Sequence, residues 1–189
     1  MKIAITGVGG TGKTTLGKLI SLHTCLKYIP DINDVTLNEM GYKSGNELFK
    51  KRGEEGMIAW HMRTIADKIK SDFEEDNYIV DKSVFDFGAR WFARFYSSSK
   101  EENHKIILNS LEKGVNLYDK IIFLPLDLSR EVVDNNMRTV DPYQRVKFDL
   151  ILRGLYSKYK QSFQEYNFNF SEHPEKVIKD LGLFSLWKE

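Results

Sequence analysis

Cysteine is almost missing from this chain, with Cys25 the single one in 189 residues. One thiol excludes an internal disulfide and a multi-thiolate zinc site, and it suits a reducing compartment. The four histidines show no ligand spacing, so a histidine-built metal centre is not expected either. Charge of one sign is also missing: 28 Lys+Arg against 27 Asp+Glu leave a formal charge of +1. No global basic field exists to neutralise phosphates, so a nucleic acid polymer is not an expected partner. No apolar run reaches membrane-spanning length, and Met1 to Thr6 reads as a strand rather than a signal peptide. There is no internal repeat, no low-complexity segment and no shift in composition. These absences predict one cytoplasmic domain over residues 1–189, without a membrane partner. What is present suits a packed core, since 41% of residues are hydrophobic and 29% charged.

The apolar pattern alternates between two periods. Short runs at Lys2–Thr6, Leu26–Ile29, Asn77–Asp81, Lys120–Leu124 and Tyr166–Phe170 predict five strands. Helical spacing predicts helices from Lys13, then over Glu54–Phe73, Val84–Tyr96, Glu101–Val115 and Tyr143–Gln164, with a last one from Pro174 to Gly182. Residues 31–53, polar and irregular with room for short helices, and residues 126–142 are expected to carry substrate contacts or a lid. Strands alternating with helices imply an α/β fold, a parallel sheet covered on both faces.

One motif is specific. Gly7-Val8-Gly9-Gly10-Thr11-Gly12-Lys13-Thr14 matches G-x-x-x-x-G-K-[ST] in full, between the first strand and the first helix. The glycines let successive backbone N–H groups turn inward onto phosphate oxygens, and the helix start adds further donors. Lys13 brings a point charge to the outer phosphates, and the Thr14 hydroxyl is placed to ligate Mg2+. Gly9, Gly10, Thr11, Gly12, Lys13, Thr14 and Thr15 are therefore the candidate nucleotide-binding residues. ATP and Mg2+ are the expected cofactors.

Two acids follow strands and should emerge at the carboxyl edge, where open parallel sheets bind ligands. Asp81 can hold Mg2+ with Thr14, orient Lys82, accept a proton, or simply cap the next helix. Asp31 can be the proton acceptor from an attacking hydroxyl.

These segments, with Asp81-Lys82-Ser83-Val84-Phe85-Asp86 and Asp134 to Asp141, resemble the P-loop nucleoside and nucleotide kinase group. The similarity is greatest to ribosylnicotinamide-kinase-like domains of AAA-type P-loop character. Deoxynucleoside and thymidylate kinases are wider relatives. The resemblance implies a P-loop NTPase fold, with five parallel strands flanked by helices, the phosphate-loop strand central and a lid segment. It implies that Asp81 serves Mg2+ or the base role, and that Asp31 deprotonates the acceptor hydroxyl. A lid arginine, best matched by Arg138 between Arg130 and Arg145, would meet the transferring phosphoryl group. Trp60, His61, Phe87, Trp91 and Phe95 would wall the acceptor pocket, or else fill the core. Arg90 and Arg94, one turn apart, could meet an acceptor phosphate. Lys82 stands where the family usually has arginine, and Ile32–Met40 contains no arginine, so the reaction type is implied more closely than the substrate. The expected function is ATP- and Mg-dependent transfer to a hydroxyl of a small molecule, a nucleoside or ribosyl compound, with a homodimer possible. A nucleoside monophosphate kinase and a regulatory ATPase module remain the alternatives. The Asn-Lys-x-Asp guanine-reading motif of GTPases is not present.

Overall fold

A computed structural model describes residues 1–129 and 141–188. Five strands form one parallel sheet: β1 (Lys2–Gly7), β2 (Lys27–Ile29), β3 (Tyr78–Asp81), β4 (Lys120–Leu124) and β5 (Gln164–Glu165), in the order β2-β3-β1-β4-β5. The phosphate-loop strand is thus central, as expected. Its register sets Ile5 opposite both Asp81 and Ile122, so β1 and β3 deliver their last residues to the same edge.

The period of two is legible on both faces. Ile3, Ile5, Ile79, Ile122 and Leu124 point to one side, where they pack with Leu16 and Ile20 of α1 (Lys13–His23) and with Val177 and Ile178 of α7 (Pro174–Asp180). Ala4, Tyr78, Val80, Ile121 and Phe123 point to the other. There they meet α3 (Gly45–Glu74), α4 (Val84–Arg94), α5 (Glu101–Lys113) and α6 (Pro142–Lys158). Each fully buried aliphatic side chain contributes about 1.5–3 kcal/mol, so the two layers hold the sheet from both sides.

Two expectations need correction, and a third gains detail. Residues 31–53, read as polar and irregular with room for short helices, hold α2 (Asn33–Glu39) and the first turns of α3. Ser44 Oγ accepts from the Glu47 N–H at 3.1 Å, and the Glu47 carboxylate reaches back to the Lys43 N–H at 2.8 Å. That reciprocal cap starts a helix where no apolar stripe announces one. Gly53, at φ 60°, then breaks α3 before the predicted segment begins.

The helix predicted to reach Gln164 stops at Lys158. Lys160 takes φ 52°, its N–H bonds the Ser157 carbonyl, and Gln161 N–H bonds that of Tyr156. This is a Schellman ending built on lysine instead of glycine, which conceals it in the sequence. Finally, the fifth strand is Gln164–Glu165 and not Tyr166–Phe170. Phe168 N–H folds back onto the Tyr166 carbonyl, and Phe168 and Phe170 turn toward Gly12, so their alternation serves the phosphate loop and not a ladder.

Candidate active site

The loop between β1 and α1 owes its shape to glycines at left-handed backbone angles. Gly7, Gly10 and Gly12 have φ of 134°, 85° and 98°. A Cβ on Gly7 would stand 2.4 Å from the Leu124 carbonyl oxygen, so β4 also forbids a side chain there. Gly9 differs, since a Cβ there meets nothing within 4 Å and packing does not require glycine. Thr11 is buried and donates to the Val8 carbonyl at 3.0 Å. The N-cap of α1 is Gly12, which has no side chain to bond the first N–H groups of the helix. Thr14 and Thr15 lie exposed on that first turn. Lys13 lies across the loop, with Nζ donating to the Gly7 and Val8 carbonyls at 2.8 Å each. Burial pulls its ammonium below the usual lysine range, while Asp81 and then Asp86 oppose the fall.

The structure brings Asp81 to this loop. The Thr14 hydroxyl donates to Asp81 Oδ2, and Asp81 Oδ1 is buried without a hydrogen-bond partner among the described residues. An orphaned carboxylate oxygen beside a hydroxyl is a donor set of hard oxygens, which fits Mg2+. The reading of Asp81 as the cap of α4 does not hold. That cap is made by Ser83 and Asp86, which accepts from Ser83 N–H at 2.8 Å and Ser83 Oγ at 2.7 Å.

Asp86 does more, and sequence reasoning assigned it no role. It is buried and also accepts from Thr6 Oγ1 at 2.6 Å and Gly7 N–H at 3.3 Å. One carboxylate thereby ties the exit of β1 to the start of α4. The S-x-x-D spacing of Ser83 and Asp86 was the signal that could have found it. Tyr28 was missed with no comparable signal. Its ring packs on Gly17, where a Cβ would meet Cε2 at 2.7 Å. Burial, then the Asp81 charge, push its hydroxyl up to about 12, and both Thr14 and the Asp81 carboxylate lie within its hydrogen-bonding reach.

Asp31 lies just beyond β2 at the same edge, paired with Lys82 and bonded by Asn33 Nδ2 at 2.8 Å to both oxygens. Burial alone would raise its carboxyl, but Lys82, then Arg90, with bonds from Lys82 and Asn33, hold it down to about 2. Lys82 reaches it from an unusual φ of 81°, with its N–H on the Ile5 carbonyl at 2.9 Å.

The aromatic residues divide. Trp91 and Phe87 are buried in the main core, and Trp91 Nε1 donates to His104 Nδ1 at 3.1 Å. Phe95 packs there too. Trp60 joins Leu37 and Leu48 in a smaller cluster, and its Nε1 donates to the Asn33 carbonyl at 3.3 Å. His61 is buried, 2.8 Å from the Phe87 carbonyl through Nε2 and stacked on Trp91. Trp60, Phe87, Trp91 and Phe95 therefore belong to core clusters, the second of the two readings the sequence left open. Arg145 is buried at the start of α6, with Nε lacking a partner among the described residues. Arg130 and Arg138 lie outside the described residues. The described helices include none long and apolar enough to cross a membrane, and no His/Cys/Asp/Glu cluster there could hold a metal by itself.

Solved structures share this architecture. Shikimate kinase from Aquifex aeolicus superposes with a TM-score of 0.54 at 20% identity, over 98% of this chain and 96% of that one. Shikimate kinase from Acinetobacter baumannii, in complex with shikimate, gives 0.55 at 16% identity over 97% and 92%. Deoxyadenosine kinase from M. mycoides gives 0.66 at 13% identity, covering 96% of each chain. At such identities the likeness establishes the fold, an α/β P-loop kinase fold with an all-parallel sheet. No curated protein sequence matches the chain. Residues 2–172 match the model of the AAA domain family, and with its intact phosphate loop on the central strand the chain belongs to that family, in keeping with the P-loop nucleoside and nucleotide kinase group.

Proposed function

We propose that the protein transfers the γ-phosphoryl group of ATP to a hydroxyl of a small molecule, a nucleoside or other ribosyl compound. The observation that carries this reading is the meeting of two acids with different partners at one sheet edge. Asp81 has an orphaned oxygen beside Thr14, while Asp31 is a paired carboxylate on the side away from the phosphate loop.

In that reaction the acceptor oxygen attacks the γ-phosphorus, the bond to the bridging oxygen breaks, and ADP leaves. The hydroxyl proton passes to Asp31. A carboxylate held near 2 is a weak base, but a loose phosphoryl-transfer transition state asks mainly for position and charge stabilisation. The N–H groups of the loop and of α1 hold the phosphates, and Lys13 swings from the Gly7 and Val8 carbonyls onto their oxygens. Mg2+, held by Thr14 and Asp81, supplies charge neutralisation when bound. Arg138, on the segment outside the described residues, would add a planar charge at the transferring group.

The deciding experiment is an ADP-release screen with Mg-ATP over nucleosides, monophosphates and ribosyl cofactor precursors. Release that depends on one acceptor, with the phosphate recovered on it, supports the reading. Equal release with and without every acceptor would instead mark a regulatory ATPase.

A further inference from the structure

Tyr28, a residue that neither the phosphate-loop motif nor the strand-end acids point to, runs along one face of α1. Thr14, Gly17 and Ser21 share that face by their helical spacing. The Tyr28 N–H donates to Ser21 Oγ at 3.1 Å, and the Ser21 hydroxyl donates in turn to the Leu26 carbonyl at 2.8 Å. The ring lies on Gly17, and the hydroxyl ends within reach of Thr14 and Asp81. On its other side β2 runs beside β3, with Ile29 opposite Val80, so the strand end that carries Asp81 lies alongside. A Cβ on Gly17 would stand 2.7 Å from Tyr28 Cε2 and 3.0 Å from Cδ2. Glycine weakens a helix interior, and here it makes room for the ring.

Thr14 and Asp81 are the oxygen pair that fits Mg2+, and their arrangement calls for a third group. The Thr14 oxygen can give a lone pair to a cation only while its own hydrogen keeps an acceptor. In the structure that hydrogen goes to Asp81 Oδ2, on the carboxylate that the cation also needs. A hydroxyl in reach of both residues can accept from Thr14 and donate to Asp81 at once, which orients the two without adding charge. We propose that Tyr28 is a positioning residue of the cation site, holding Thr14 and Asp81 as ligands through its hydroxyl, and that Gly17 is glycine so that the ring can reach them. This rests on the Thr14 and Asp81 site of the phosphoryl-transfer reading and adds the residue that orders it.

The test is a Mn2+ titration followed by electron paramagnetic resonance, on the full chain loaded with ADP. Mn2+ takes the same oxygen donors as Mg2+. Tyr28→Phe keeps the ring on Gly17 and removes only the hydroxyl, so the Kd for Mn2+ should rise about tenfold or more, the scale for losing an outer-shell partner of a metal ligand. ADP affinity in EDTA should stay at the parent value, a split that a merely structural role would not produce. Gly17→Ala displaces the ring and should weaken Mn2+ binding by a similar factor. The double variant should then lie within about twofold of Tyr28→Phe, because both changes act through one hydroxyl. Mn2+ binding to Tyr28→Phe within about twofold of the parent would overturn the proposal. Losses that multiply in full in the double variant would overturn the joint role of Gly17 and Tyr28. Should Tyr28→Phe fail to fold, fluorotyrosine incorporated in place of Tyr28 alone decides by fluorine NMR. Its resonance should move when Mg2+ joins the ADP-loaded chain, and an unmoved resonance refutes the role. Hydroxyl-dependent Mn2+ binding without acceptor-dependent ADP release would keep Tyr28 in place and sink the kinase reading. Acceptor-dependent transfer with a Mn2+ affinity indifferent to Tyr28→Phe would do the reverse.

Discussion

At the scale of single residues, the two acids should part company on mutation. Asp31→Asn removes a proton acceptor but leaves the phosphate loop untouched, so turnover with an acceptor should fall by about a hundredfold or more. Nucleotide affinity should hardly move. Asp81→Asn takes charge from the carboxylate that meets Thr14, so the Mg2+ concentration for half-maximal rate should rise along with the loss of rate. Equal loss of Mg-ATP binding in both variants would show that the division of roles is wrong. His61 gives a stability test. Its imidazole falls from an ordinary 6.5 to about 3 in the fold, through burial first and Arg90 second. Above the unfolded value both states are neutral and the fold keeps its full stability. As pH drops below it, the unfolded chain binds a proton that the fold refuses. Between about pH 7 and about pH 5 this one group should cost roughly 2 kcal/mol. Urea melts of His61→Gln should show a correspondingly shallower loss over that window, and parallel curves for both proteins would refute the assignment.

At the scale of elements, Asp86 is the joint between β1 and α4. Asp86→Ala leaves the Thr6 hydroxyl, the Gly7 N–H and both Ser83 donors without their acceptor in a buried place. The expected loss is about 3–5 kcal/mol of unfolding free energy, the scale for stripping a charge from buried partners. Chemical denaturation would measure it, and a change below about 1 kcal/mol would mean that water replaces the carboxylate at no great cost. The same scale shows where elements were hidden. A helix that starts on Ser44 and Glu47, or ends on a left-handed Lys160, follows hydrogen bonds that an apolar period does not register.

For the whole molecule, ligand binding and folding are linked. Mg-ATP at about a hundred times its Kd should stabilise the fold by about 2.7 kcal/mol. In a domain of this size that raises Tm by roughly 5–10 °C. Lys13→Ala should melt near the parent without nucleotide, since it loses only two bonds to loop carbonyls, yet it should lose most of the nucleotide shift. A full shift in the variant would remove this loop from nucleotide binding.

The sequence by itself determined the sheet class and the phosphate loop, while the central place of its strand was implied by the family resemblance. The first two depend on local chemistry: short apolar runs at Lys2–Gly7 and Lys120–Leu124, buried on both faces, and glycines at positions whose backbone angles admit little else. It also indicated that Asp31 and Asp81 share an edge, because parallel strands put their carboxyl ends on one side. Only the tertiary structure decided what those acids touch. Asp31 meets Lys82 across 51 positions of sequence, and Thr6 meets Asp86 across 80. It also turned Trp91 and Phe87 into core, turned Tyr166–Phe170 from a strand into a flank of Gly12, and linked Arg90 to Asp31 through Asn33. Such pairings depend on how helices pack over the sheet, and packing brings together residues whose spacing along the chain carries no signal.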